Sequence, residues 1–231
     1  MKILQRPSQN FGDRGQGSSI DKLILHYTGM KSGEDSLARM CGSTSEVSAH
    51  YFVDEDGTIT QLVDEDKRAW HAGVSYWAGE TDINGSSIGI ELQNPGHEWG
   101  YRDFPEEQIE ALAELAADIL IRHAIPAKNV LGHSDVAPER KQDPGELFPW
   151  QRLATRNIGY WPSANLEENP GPAFDTPNEE LRGLLSKRGY NPETSLVDVV
   201  TAFQRRYRPA NIDGKADSET VQLITACAKI A

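Results

Sequence analysis

Three residues with good metal-ligating side chains fall at informative places in the chain. His26 lies inside an apolar run, Leu23–Thr28 (LILHYT), while His133 and Asp143 stand ten residues apart in a segment interrupted by Pro138 and Pro144. A histidine from a core strand, with a His and an Asp on a stiff loop, can supply three nitrogen and oxygen ligands. Zinc hydrolases use such a set and leave the fourth tetrahedral position to water. Spacing alone leaves the alternative open, that these are structural histidines with satisfied hydrogen bonds.

Two further residues bear on that choice. Glu91 interrupts the apolar run Ser87–Gln93 (SIGIELQ). A carboxylate there is costly unless it is paired or has a chemical task. Alternation gives a plainer reading, in which Ile88, Ile90 and Leu92 share one face and Glu91 points to the other, solvated one. Lys141 stands two residues before Asp143. On its own it reads as an ordinary surface lysine, with a chemical task the lesser alternative.

The elements that must position these groups can be read from patterning. Lys22–Thr28, His50–Val53, Thr58–Val63 and Ser87–Gln93 are rich in β-branched and aromatic residues, and Asp56-Gly57 is a hairpin signal between the second and third. Pro105–Ala124 reads as a long helix with Ile109, Leu112, Ala116, Ile119, Leu120 and His123 on one stripe, and Asp103 with Glu106 predicts a capping box. Residues Asn129–Gly132 give a last strand. The alternation predicts an α/β unit, a mixed central β-sheet flanked by helices.

Proline at 162, 170, 172 and 177 marks a break. The predicted organisation is a first domain over 1–163, a Pro-rich linker over 164–177 and a small three-helix domain over 178–231. In the last, Thr176-Pro177-Asn178-Glu179 starts one helix, a second runs from about Thr194 to Tyr207, and a third runs from about Asp217 to Ile230.

Composition narrows the function classes. The 231 residues carry 38% hydrophobic and 25% charged residues, as a globular chain does. With 23 Lys+Arg against 35 Asp+Glu, the net charge is -12. An acidic chain without a basic tract is a poor partner for nucleic acid, whose binding rests on phosphate neutralisation. No apolar run is long enough to span a membrane. The cysteines, Cys41 and Cys227, match no metal or redox spacing and read as unpaired thiols.

Five blocks in order, LILHYT, SAHYFVDEDGTITQLV, RAWHAG, NGSSIGIEL and GHSDVAPERKQDPG, span roughly residues 19–160. Together they resemble the zinc-dependent N-acetylmuramoyl-L-alanine amidases of the AmpD/AmiD type, relatives of phage lysozyme amidases and animal peptidoglycan recognition proteins. The C-terminal stretches LRGLLSKRGY, VVTAFQRRYRP and NIDGKADSETV look like a three-helix peptidoglycan-binding domain. The resemblance implies His26, His133 and Asp143 as ligands of one Zn2+ per chain. It implies Glu91 as the acid/base residue and Lys141 as the oxyanion stabiliser. His50, Trp70, His71 and Asn84 fall in blocks that line the family's groove. The implied reaction is hydrolysis of the amide between the lactyl group of N-acetylmuramic acid and L-alanine.

The chain departs from the family at Asp82-Ile83-Asn84, where an Arg often stands two residues before the Asn. Arg102 or Arg140 are the candidates to grip a stem-peptide carboxylate in its place. The first residues contain no apolar core followed by a small-residue cleavage site, which predicts a cytoplasmic enzyme that recycles anhydro-muropeptides. The alternatives are a periplasmic enzyme that trims wall polymer and a muropeptide-binding protein without turnover. A monomer is expected.

Overall fold

The structure is a computed structural model that describes residues 1–162 and 178–230. Strand β3 (Lys22–Tyr27) is an interior strand, and its first five residues are buried, as a strand covered on both faces requires. It pairs in parallel with β7 (Ser87–Leu92) and with β8 (Val130–Gly132). Strand β4 (Tyr51–Val53) runs parallel to β7, and the Asp56-Gly57 turn folds β5 (Ile59–Gln61) back antiparallel to β4. Gly57 takes φ +81, the left-handed conformation that such a turn needs. Strand β1 (Ile3–Gln5) closes the edge in parallel with β5, giving the order β1-β5-β4-β7-β3-β8. A separate ribbon joins β2 (Phe11–Asp13) to β6 (Lys67–Ala69).

Helix α1 (Gly33–Cys41), the short turns α2 (Ile83–Ser86) and α3 (Gly96–Trp99), and the long α4 (Glu106–His123) complete the first part of the chain. Two more short helices follow, α5 (His133–Val136) and α6 (Trp150–Ala154). Alternation sends Leu23, Leu25, Ile88, Ile90 and Leu92 to one face, where Ile109, Leu112, Ala116 and Ile119 of α4 cover them. Each such fully buried side chain contributes roughly 1.5–3 kcal/mol. The capping box expected from Asp103 and Glu106 does not form. Pro105 takes the cap position without a side-chain bond, because its fixed φ already suits a helix entry.

The opposite face of the sheet is divided in two. Toward one end, Ile24 and Leu131 join Trp77 and Val136 in a second core. That core is completed by α7 (Asn178–Arg188), α8 (Leu196–Tyr207) and α9 (Ser218–Cys227). The three C-terminal helices expected from the sequence are thus present, and their core is continuous with that of the first unit. Phe203 and Tyr207 are buried in it. The proposed linker over 164–177 lies outside the described residues. Toward the other end, the same sheet face is left open as a cleft.

Candidate active site

Strand ends place the chemistry. His26 stands near the end of β3, and its register partner on β7 is Glu91. Both leave the sheet on the cleft side, because Leu25 and Ile90 face α4. His133 opens α5 directly after β8, whose Gly132 pairs with Leu25. Asp143 returns on the following loop, where its carbonyl accepts a 2.9 Å bond from the Ser134 N–H. His26 Nδ1, His133 Nδ1 and Asp143 Oδ2 then form a triangle with all three separations 3.0 Å. All three residues are buried.

Hydrogen bonds outside the triangle fix which ring nitrogens carry protons. His133 Nε2 is 3.0 Å from the Ala72 carbonyl, so it donates there and leaves Nδ1 with a lone pair. Ser87 gives its only hydroxyl proton to the Ile83 carbonyl at 2.6 Å. It therefore accepts from His71 Nε2, 3.2 Å away. His71 Nδ1 is then a bare acceptor for His26 Nε2–H at 3.1 Å, and His26 Nδ1 is bare in turn. Burial pushes His71 well below its ordinary range and His26 down to about 4, the latter helped by His133 and opposed by Asp143. Both rings are neutral near pH 7.

Three lone-pair atoms thus face one another across 3.0 Å with no proton between the two nitrogens. That arrangement suits a cation at their centre. A tetrahedral zinc site with bonds of about 2.0–2.1 Å requires ligand separations of about 3.3 Å, close to those present. Burial alone would raise the Asp143 carboxyl, but His133 and His26 hold it below the usual carboxylate range. The donor set fits Zn2+.

Glu91 presents the opposite case. Its Oε2 is buried and has no hydrogen-bond partner. Burial drives the carboxyl well above its ordinary range, nearby Asp143 adds to this, and Lys141 opposes it. A poised, unsatisfied carboxylate at the floor of a cleft is a candidate proton carrier. The face opposite Ile88 and Ile90 is accordingly the one that looks into the cleft.

The cleft, about 680 Å³, is lined by Glu91, His133, Lys141 and Asp143, and by Trp70 and His71 of the expected substrate residues. His50 and Asn84 lie behind it. His50 Nδ1 accepts the Gly89 N–H at 3.0 Å and its other nitrogen reaches the Lys67 carbonyl. Asn84 Oδ1 accepts the N–H groups of His71 and Ala72, fixing the turn that carries the His133 acceptor. Gly89 makes room for this arrangement, since a Cβ there would lie 2.5 Å from the His71 ring.

Neither Arg102 nor Arg140 is a free guanidinium in the cleft. Arg102 pairs with Glu55. Arg140 lines the cleft, but it is spent on the Ala72 and Val74 carbonyls. Asp82 itself caps α2, and its Oδ1 accepts from both Nε and one terminal nitrogen of Arg68. Residues not singled out from the sequence also line the cleft, among them Tyr27, Arg39, His97 and Trp99. Arg39 is exposed on α1, and among the described residues its guanidinium has no partner.

Comparison with known proteins places this geometry among relatives. Residues 16–146 match the family described as N-acetylmuramoyl-L-alanine amidase. The N-acetylmuramoyl-L-alanine amidase AmiD of Escherichia coli (strain K12) is 40% identical over 97% of this chain and 89% of its own length. Its structure, a complex with anhydro-N-acetylmuramic acid-L-Ala-D-gamma-Glu-L-Lys, aligns with TM-score 0.83 and 38% identity, covering 94% of this chain and 92% of that one. AmpDh3 of Pseudomonas aeruginosa in complex with anhydromuramic pentapeptide aligns with TM-score 0.80 and 33% identity, covering 96% and 94%. The 1,6-anhydro-N-acetylmuramyl-L-alanine amidase AmpD of Escherichia coli (strain K12) is 45% identical, but over only 46% of this chain and 56% of its own.

Proposed function

The chain belongs to the N-acetylmuramoyl-L-alanine amidase family, and on that premise we propose that His26, His133 and Asp143 hold one Zn2+ for hydrolysis of the lactyl–L-alanine amide of muropeptides. The three lone-pair atoms meeting at 3.0 Å beside an unpartnered Glu91 carboxylate carry this reading. Zinc bound there lowers the pKa of water from 15.7 to about 7 and polarises the scissile carbonyl. Glu91 takes the proton of the attacking water and delivers it to the alanine nitrogen as the C–N bond breaks. Lys141 neutralises the oxygen that becomes negative at the tetrahedral stage. Trp70 and His71 form part of the wall against which the sugar and lactyl group rest.

The substrate is a soluble 1,6-anhydro-muropeptide, because both whole-length relatives are seen with anhydromuramic peptides. Arg39 is the cation available to a stem-peptide carboxylate. No described helix is long and apolar enough to cross a membrane. Incubation with anhydro-muropeptide and, in parallel, with intact sacculi tests the substrate form. Release of stem peptide from the soluble fragment at a rate at least tenfold greater supports a recycling enzyme. Comparable release from sacculi replaces it with a wall-trimming enzyme.

A further inference from the structure

Asp135 lies two residues after His133 on the single turn of α5 and is buried, yet two of the groups that satisfy it come from the C-terminal helices. Its Oδ2 accepts the Gly132 N–H at 2.8 Å, which closes the turn on itself. Its Oδ1 accepts the hydroxyl of Tyr190, just after α7, at 2.8 Å. Arg206 of α8 donates to Oδ2 through one nitrogen and, through the other, to the Val130 carbonyl of β8 at 3.0 Å. The guanidinium is also stacked 3.9 Å from the centre of the Trp150 ring. The Val130–Val136 segment that carries His133 is therefore gripped at both ends by one side chain from outside the catalytic unit.

We infer that Arg206 and Tyr190 are positioning residues for the metal site, so that the C-terminal helices form part of the scaffold of His133. Removing Arg206 leaves the Asp135 carboxylate buried without its counter-charge, and the turn must shift to rehydrate it. Any shift of α5 is passed to His133 Nδ1, whose place in the triangle is set by that turn and by the Ala72 carbonyl. Groups bonded directly to a metal ligand typically alter metal affinity 10–100-fold, and Arg206 and Tyr190 act one step further out, through the turn that carries His133. The AmpD structure covers 67% of this chain, so an amidase unit can be built without a matching C-terminal part. In this chain the two have become interdependent.

This inference rests on the zinc amidase reading, and its test separates the two. The zinc dissociation constant of the full chain is measured by competition with a chromophoric chelator, well below the unfolding temperature, for wild type, Arg206→Met and Tyr190→Phe. The expected result is a folded R206M chain whose zinc affinity is at least tenfold weaker, with kcat falling at limiting zinc and KM unchanged. Y190F moves in the same direction by a few-fold. A folded R206M chain that melts earlier but binds zinc within twofold of wild type overturns the inference, since it makes Arg206 a stability contact only. Should R206M not fold, Y190F decides, with affinity within twofold of wild type overturning the inference. A wild-type chain that takes up no zinc overturns the amidase reading and this inference together.

Discussion

Glu91 and His26 are register partners on adjacent parallel strands, β7 and β3, and both face the cleft. Pairing fixes their separation by backbone hydrogen bonds rather than by flexible side chains, which is how a scaffold holds a proton carrier beside a metal ligand. Their environments diverge from that shared start. His26 gives its Nε2–H to His71 and keeps a bare Nδ1, while the Glu91 Oε2 has no partner at all.

Glu91→Gln keeps the shape and removes the base, so kcat falls about 10²–10⁴-fold. Zinc content, measured by elemental analysis of the purified variant, stays at that of wild type. A variant that loses zinc along with activity would assign Glu91 to the metal site instead.

His71 is expected to act through His26. His71→Phe retains a ring over Gly89 but leaves the His26 Nε2–H without its acceptor. Zinc affinity then drops about 10–100-fold, read by chelator competition. If affinity is unchanged while KM rises, His71 serves only as part of the cleft wall and the relay through Ser87 is not what matters.

His50 supplies a pH signature of stability. Burial lowers its pKa to about 3, so it is neutral in the fold where the unfolded chain, with an ordinary value near 6.5, binds a proton. Its contribution is complete above about pH 6.5 and is lost as pH falls from there toward 3, by about 2 kcal/mol at pH 5. His50→Gln is less stable at pH 7, and its melting temperature should fall less steeply than that of wild type between pH 6.5 and 5. Equal slopes for the two proteins would contradict this.

Arg39 is expected to contribute to substrate binding. A charge-assisted bond from an exposed guanidinium contributes enough for Arg39→Ala to raise KM about tenfold with kcat little changed. A truncated substrate lacking the third stem residue should not distinguish the variant from wild type if that residue's carboxylate is the partner.

Much of this was legible in the chain. The strand of His26, the strand of Glu91, the Asp56-Gly57 hairpin and α4 all carry periodic apolar signals, and the structure places them within a residue or two of the expected bounds. Helix α1 was not legible because only Ser36 and Met40 are buried on it, although Ser32 with Asp35 three residues on is a readable cap. Strands β1, β2 and β6 are as short as β4, β5 and β8 but only partly buried, so no buried apolar run marks them. The scaffolding roles of His50 and Asn84 were hidden for another reason. A motif identifies residues near a site, but only the fold decides whether a side chain faces the cleft or holds a backbone N–H behind it. The Arg206–Asp135 pair joins residues 71 positions apart, and nothing local in the chain announces it.

The most direct test is mass spectrometry of the products formed from 1,6-anhydro-N-acetylmuramyl peptide by the wild-type chain, the same chain stripped with chelator and then given zinc, and His133→Ala. Wild type is expected to release free stem peptide beginning with L-alanine. No product is expected after chelation or from H133A, and adding zinc restores release. Cleavage at any other bond, or stem peptide released at the wild-type rate from the stripped chain or from H133A, would contradict metal-dependent hydrolysis of the lactyl–L-alanine amide.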